Sequence, residues 1–243
     1  MDACELTHME REPVDARAAA AQHRGYREAL AACGARVVTL PAANELPDSV
    51  FVEDTAVVLD EVAVLTRPGV ESRRGEVRLV APEVARLRPV VRIEPPATLE
   101  GGDVLRLGRT LYVGLSTRTN AEGAAALRRL AAPHGYEVVT VEPRGCLHLK
   151  TGCSALDDGT VLVNPGWVDA AAFRGREVVA VDASEPWAAN VLSVGGAICV
   201  NAAFPRTAEM LSARGYDVRA VEVSEFSKAE GSLTCLSLLF RQP

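Results

Sequence analysis

The stretch HGYEV at 134–138 is nearly copied as RGYDV at 214–218, and each runs into a β-branched segment, VVTV from Val138 and VRAV from Val218. Similar segments begin at Val37 (VVTL), Val90 (VVRI) and Val178 (VVAV), so five units open alike. Their composition and length predict strands, and their regular recurrence marks a repeat architecture. A second strand candidate follows each opening run: TAVVLD, DVLRLG, SALDDG, NVLSVG and CLSLLF. In the first four units a third follows a tight turn: VAVLTR after Asp60–Glu61, TLYVGL after Gly108, TVLVNP after Asp158–Gly159 and AICVNA after Gly195–Gly196. Those turn residues tolerate the backbone angles of a hairpin.

Helices are predicted between units. Asp15–Ala32 is Ala-rich and stops before Gly34; Asn120–Ala132 opens on an N-capping Asn120; Thr207–Arg214 ends at Gly215. Residues 67–88, with several Arg and two Pro, form the least regular stretch. The expectation is an α/β protein of about five β-rich modules with helices packed outside, in a single domain over residues 1–243.

The chain has 243 residues, 48% hydrophobic and 24% charged, as in soluble globular proteins. Its net charge of −6 opposes nucleic acid as a partner, because phosphate binding needs a basic surface. No apolar run reaches the roughly 18 residues of a membrane helix. The charged MDACELTHMEREP opening does not resemble a signal peptide, and six cysteines without framework spacing fit a reduced, cytoplasmic protein.

Asp54, Glu100, His148 and Cys235 fall at equivalent places, near the start of the second strand region of modules one, two, three and five. If the modules surround an axis, these residues converge on one central pocket. The set suits attack by a thiolate on a cationic carbon. A free Cys is mostly protonated at neutral pH, and a nearby positive charge, from His148 or from a cationic substrate, corrects this. Glu100 and Asp54 can grip a planar guanidinium through charge-assisted contacts, and buried carboxylates without a cation are costly.

Taken alone, each residue also has an ordinary reading. Cys235 in LTCLSLLF suits a core strand, Glu100 before Gly101–Gly102 a turn, and Arg118 a helix end. Cys146, His148 and Cys153 lack a standard zinc spacing and have no matching pair elsewhere. His8, His23 and His134 read as surface residues.

FVEDTAVV (51–58), LEGGDVL (99–105), STRTN (116–120), LHLK (147–150), NAAFPRT (201–207) and GSLTCLSL (231–238) together resemble the dimethylarginine dimethylaminohydrolases, in order and over nearly the whole chain. The resemblance implies a five-bladed α/β-propeller (pentein fold) of repeated ββαβ-type modules around a central active-site pocket. It implies Cys235 as nucleophile, His148 as general acid and then base, and Glu100 as the carboxylate completing the catalytic set. Asp48, Glu53 and Asp54 would line the guanidinium pocket, Arg73 and Arg118 would bind the substrate α-carboxylate, and Leu6 would sit on a lid.

The expected reaction cleaves Nω-methylated arginines to citrulline and an amine through an S-alkylthiouronium intermediate, with no metal or organic cofactor. The expected partner is a small-molecule guanidinium amino acid, with no nucleic acid and no membrane; a homodimer is the assembly to test for. Arginine and agmatine deiminases usually show His-x-Asp where this chain has His148–Leu149–Lys150, which favours a methylated substrate. Competing readings are a hydrolase of another guanidine, a guanidine-binding regulator, and a non-catalytic, ribosome-binding propeller, which the −6 charge opposes.

The family generally opens with a strand before the lid. Here the lid falls near Met1, so the expectation is either a start that lies further upstream or one blade that lacks a strand and exposes a sheet edge. Glu5 stands where glycine is common, which bears on how the lid closes.

Overall fold

The structure, a computed structural model, describes residues 3–241. Helix α1 (Ala16–Ala32) begins where Asp15 accepts the N–H groups of Arg17 and Ala18 at 2.8 and 3.1 Å. It buries Ala19, Tyr26 and Leu30 along one face and ends before Gly34, whose φ of +87° suits glycine.

Four modules repeat one plan. The first comprises β1 (Ala56–Val58), β2 (Ala63–Leu65), α2 (Val77–Ala85) and β3 (Val90–Arg92). The second comprises β4 (Val104–Leu107), β5 (Thr110–Gly114), α3 (Ala121–Ala131) and β6 (Glu137–Val141). In the third, α4 (Leu149–Gly152) leads into β7 (Cys153–Ala155), β8 (Val161–Val163) and β9 (Val178–Ala180), with a 3-10 turn, Ala170–Phe173, in the crossover. The fourth comprises β10 (Leu192–Val194), β11 (Ala197–Asn201), α5 (Pro205–Ala213) and β12 (Asp217–Val221), followed by α6 (Ser224–Ser227).

In every module the first two strands form an antiparallel hairpin and the third joins the middle strand in parallel. A parallel return requires a crossover, and packing that crossover on the sheet fills the apolar space behind it. The middle strands β2, β8 and β11 are buried throughout, as their Val, Leu, Ile and Ala content requires.

Two expectations need correction. Residues 67–88 are not irregular: a 3-10 turn, Glu71–Glu76, runs into α2, which tolerates Pro82 while burying Val77, Val80 and Val84. The units divide one strand away from the expected place: VVRI, VVTV, VVAV and VRAV close the first four sheets as β3, β6, β9 and β12 rather than opening units two to five. VVTL (37–40), expected to open the first unit, and CLSLLF (235–240), expected in the fifth, are the strand candidates left for a fifth unit, and they form no ladder among the described residues. Val38 (61% exposed) and Leu239 (43%), in those two segments, are the exposed large apolar side chains.

The repeat positions the site through short helical turns beside the first strand of each unit. They are Val52–Thr55, Gly101–Asp103, α4, Pro186–Ala189 and Thr234–Leu236. The turn at 234–236 packs on 52–55, that on 101–103, that on α4, and α4 on 186–189. Side chains at these turns therefore face a common centre.

Candidate active site

His148 and Glu100 lie 48 residues apart yet form the central contact, with His148 Nε2 2.7 Å from Glu100 Oε2. Glu100 is 0% exposed. Its Oε1 accepts the Gly69 N–H at 3.0 Å, and its own N–H donates to Thr119 Oγ1 at 3.1 Å. Asp54 Oδ1 stands 3.8 Å from His148 Nε2 and accepts the Gly102 N–H at 2.9 Å. Asp103 holds the His148 turn from behind: its Oδ1 accepts the Leu149 N–H at 2.9 Å and its Oδ2 the Ser116 hydroxyl at 2.6 Å.

Charge follows from this packing. Burial opposes ionising His148, but the carboxylates of Asp54, Asp103 and Glu100 outweigh it and raise the imidazole pKa to about 9. Burial likewise opposes ionising Asp54, but His148 and Arg73 hold its pKa down at about 2. The half-buried Cys235 thiol goes the other way. Burial, then the Glu53 and Asp54 charges, push it up to about 12, against the Ser232 N–H (3.4 Å from Sγ) and Lys150. At neutral pH these shifts favour an imidazolium and a neutral thiol. Of the two sources of positive charge expected from the sequence, His148 does not suffice.

The remaining predicted residues surround this centre. Both oxygens of Glu53 are engaged: Lys150 Nζ donates to Oε1 at 2.6 Å and Thr234 Oγ1 to Oε2 at 2.8 Å. Asp48 is buried and accepts the Glu5 N–H at 3.2 Å to each oxygen. Arg73, expected to meet a substrate carboxylate, is instead buried among protein carboxylates. Its Nη1 donates to Asp54 Oδ2 at 2.8 Å, its Nε and Nη2 to Glu76 at 3.2 and 2.9 Å, and Nη1 lies 3.8 Å from Glu100.

Arg118 is also buried. Its Nη2 donates to Thr7 Oγ1 at 3.1 Å, while its Nη1, 3.7 Å from Glu100 Oε1, lacks a hydrogen-bond partner. Leu6 is half-buried between Glu5 and Thr7, both of which are tied to the site. Glu5 needs no left-handed backbone, and its carboxylate accepts the Ser72 hydroxyl at 2.7 Å.

Sequence reasoning missed Asp103, Glu76, Thr234 and Asn190. Asn190 had a readable signal, since it opens the NVLSVG segment of module four as Asp54, Glu100 and His148 open theirs. Ligand atoms of Asp54, Glu100 and His148 lie within 4.8 Å of one another and could hold a metal, but the Arg73 guanidinium already approaches two of the three. The Cys146 and Cys153 thiols point to the carbonyls of His148 and Leu149, each at 3.4 Å, and burial raises both pKa values. These are packing cysteines.

A thiol that feels the Glu53 and Asp54 charges, with a His148–Glu100 pair 3.8 Å from Asp54, among repeated ββαβ modules is the arrangement of a guanidino-modifying enzyme of the pentein class. The family described as N,N dimethylarginine dimethylhydrolase, eukaryotic, matches residues 5–151. An N(G),N(G)-dimethylarginine dimethylaminohydrolase of Streptomyces coelicolor is 43% identical over 239 residues, 98% of this chain and 92% of the relative. One from Pseudomonas aeruginosa is 38% identical over 221 residues, 90% and 87% of the two chains.

A solved structure of the Pseudomonas aeruginosa enzyme, a Cys-to-Ser mutant complexed with citrulline, superposes with a TM-score of 0.93 at 37% identity, covering 97% and 93%. The substrate-bound N-terminal domain of ArgZ, an arginine dihydrolase, reaches a TM-score of 0.83 at 25% identity over 93% and 87% of the two chains. The chain belongs to the dimethylarginine dimethylaminohydrolase family.

Proposed function

We propose that this protein hydrolyses asymmetric dimethylarginine and monomethylarginine to citrulline, releasing dimethylamine or methylamine. The observation that carries the reading is the buried Glu100–His148 pair, with the Asp54 carboxylate 3.8 Å from the imidazole. Buried carboxylates of this kind favour a cationic guest.

The chemistry follows from the charge states. A guanidinium between the carboxylates brings its positive charge to the Cys235 thiol and favours the thiolate, whose proton passes to bulk water because His148 already carries one. The thiolate bonds to the guanidinium carbon. His148 gives its proton to the methylated nitrogen, the C–N bond breaks and the amine leaves. The now neutral imidazole takes a proton from water as the oxygen attacks the same carbon; the new hydroxyl proton passes to the departing sulfur as the C–S bond breaks, leaving citrulline, the thiol and a protonated His148. General acid–base help of this kind contributes about 10²–10⁴-fold.

Arg118 Nη1, a buried donor with no hydrogen-bond partner, takes the substrate α-carboxylate, and Arg73 supports it by holding Asp54. Lys150 fills the far side of the pocket with positive charge on Glu53, where a second guanidinium ligand would sit in a deiminase. Residues 1–243 act as one catalytic domain, in the cytoplasm, on a small-molecule amino acid.

The test is incubation with asymmetric dimethylarginine, arginine and agmatine, with citrulline and amine quantified by mass spectrometry. Citrulline and dimethylamine from the methylated substrate, abolished in folded Cys235→Ser, is the expected result. Turnover of arginine alone would make the protein a deiminase.

A further inference from the structure

Four of the five units send a chemical side chain to the centre: Asp54, Glu100, His148 and Cys235. The fourth unit sends Asn190. It follows the turn Pro186–Ala189, sits just before β10, and is 3% exposed.

Its side chain makes three of the four hydrogen bonds an amide can make, all to two neighbours. Nδ2 donates to the Lys150 carbonyl at 2.8 Å and to Thr234 Oγ1 at 3.0 Å, and Oδ1 accepts the Thr234 N–H at 3.2 Å. This pattern fixes the amide orientation. Reversed, an oxygen would face the Lys150 carbonyl and an NH₂ would face the Thr234 N–H.

The two neighbours belong to opposite halves of the chemistry. Thr234 immediately precedes Cys235, and Lys150 lies two residues past His148. A second path joins them through Thr234 Oγ1 to Glu53 Oε2 (2.8 Å) and Glu53 Oε1 to Lys150 Nζ (2.6 Å). Asn190, Thr234, Glu53 and Lys150 therefore close a buried ring. Thr234 Oγ1 both accepts from Asn190 and donates to Glu53, so each bond polarises the next. No link of the ring needs the substrate.

We propose that Asn190 is a positioning residue for the hydrolysis described above, holding the Cys235 turn in register with the His148 turn for thiolate attack. It touches neither the thiol nor the imidazole. It fixes the angle between the two turns that carry them, and a nucleophile displaced by about 1 Å loses on the order of 100-fold in rate. The proposal rests on the proposed reaction for its kinetic half only.

The experiment compares wild type with Asn190→Ala and with Asn190→Asp, which keeps the shape but turns both donors into acceptors. Two quantities are measured on folded protein: steady-state kinetics with asymmetric dimethylarginine, and the rate of Cys235 alkylation by iodoacetamide, followed at that peptide by mass spectrometry. In both variants kcat is expected to fall about 10–100-fold with KM within about threefold. Alkylation should become faster, because the released turn exposes its sulfur.

A general loss of structure would also speed alkylation, but at the other buried thiols as well, so faster alkylation confined to the Cys235 peptide, with Cys4, Cys146, Cys153 and Cys199 unchanged, identifies positioning. Unchanged kcat, a loss carried wholly by KM, or unchanged alkylation in either folded variant would overturn the proposal. If wild type does not turn over methylarginine, the reaction assignment fails, and the alkylation rates still decide whether Asn190 anchors the Cys235 turn.

Discussion

Gly102 shows how tightly the site is built at the scale of one residue. A Cβ there would lie 2.7 Å from His148 Nδ1 and 2.8 Å from Asp54 Oδ1, so one of the two groups must move. Gly102→Ala is expected to lower kcat about 100-fold by misplacing the imidazole, while overpacking costs about 1–3 kcal/mol of stability. Steady-state kinetics beside a thermal melt checks this, and full activity in the folded variant would mean that the ring is not held there. His148 itself makes a pH prediction. Its folded pKa of about 9 exceeds the ordinary 6.5, so folding favours the charged form. That stabilisation is complete below pH 6.5 and drains away as pH rises through 9, amounting to roughly 3 kcal/mol at most. Asp103 and Glu76, raised to about 6 and about 7 by burial, also lose stabilisation as pH rises, but over a more acidic range. Urea midpoints between pH 6.5 and 9 should therefore fall in wild type and be flatter in His148→Gln; equal slopes would assign the titration to another group.

At the scale of elements, one carboxylate gathers the middle of the N-terminal segment expected to act as a lid, which Asp48, Ser72 and Arg118 hold at Glu5 and Thr7. Glu230 accepts the N–H groups of Thr7 (3.0 and 3.1 Å), His8 (2.5 Å) and Met9 (2.7 Å). Its own φ is +56°, a left-handed conformation that costs about 1–2 kcal/mol in a residue with a Cβ. The lid contacts offset that cost, since hydrogen bonds to an ionised acceptor are stronger than neutral ones. Glu230→Ala should release residues 3–14, raising KM about tenfold with a smaller change in kcat and faster amide exchange in the lid; an unaltered KM in folded protein would detach the lid from binding. Glu230 was illegible in the sequence, because an acid before a glycine is a common surface pattern. The hairpins were legible, since Asp158–Gly159 and Gly195–Gly196 between alternating apolar runs leave few alternatives. So was the placement of Asp54, Glu100, His148 and Cys235, because the repeat gives equivalent positions one destination. Helix α2 was hidden by Pro82, whose penalty the burial of Val77, Val80 and Val84 overrides. Arg73 misled for another reason: a motif specifies that an arginine is near the pocket, while the identity of its partners depends on which carboxylates the fold leaves unpaired.

At the scale of the whole molecule, function depends on the least regular fifth unit. Four modules close their ladders, whereas residues 37–40 and 236–240 have strand composition and no ladder among the described residues. The unit is held instead by side-chain packing, with Tyr26, Leu30, Phe51, Phe226, Leu233 and Leu236 in one apolar cluster and the Tyr26 hydroxyl donating to the Leu233 carbonyl at 2.9 Å. Backbone groups protected only by such packing open at lower free energy than those in a central strand. Amide exchange should therefore be fastest at 35–43 and 237–241 and slowest in β2, β5, β8 and β11. Because Cys235 stands at the border between these regimes, tied back to the stable modules through Thr234, citrulline should slow exchange at 3–14 and 230–236 while leaving 237–241 fast. Protection spreading through 237–241 on binding would mean that the ligand orders the whole fifth unit, and that the nucleophile is positioned by substrate rather than by the fold.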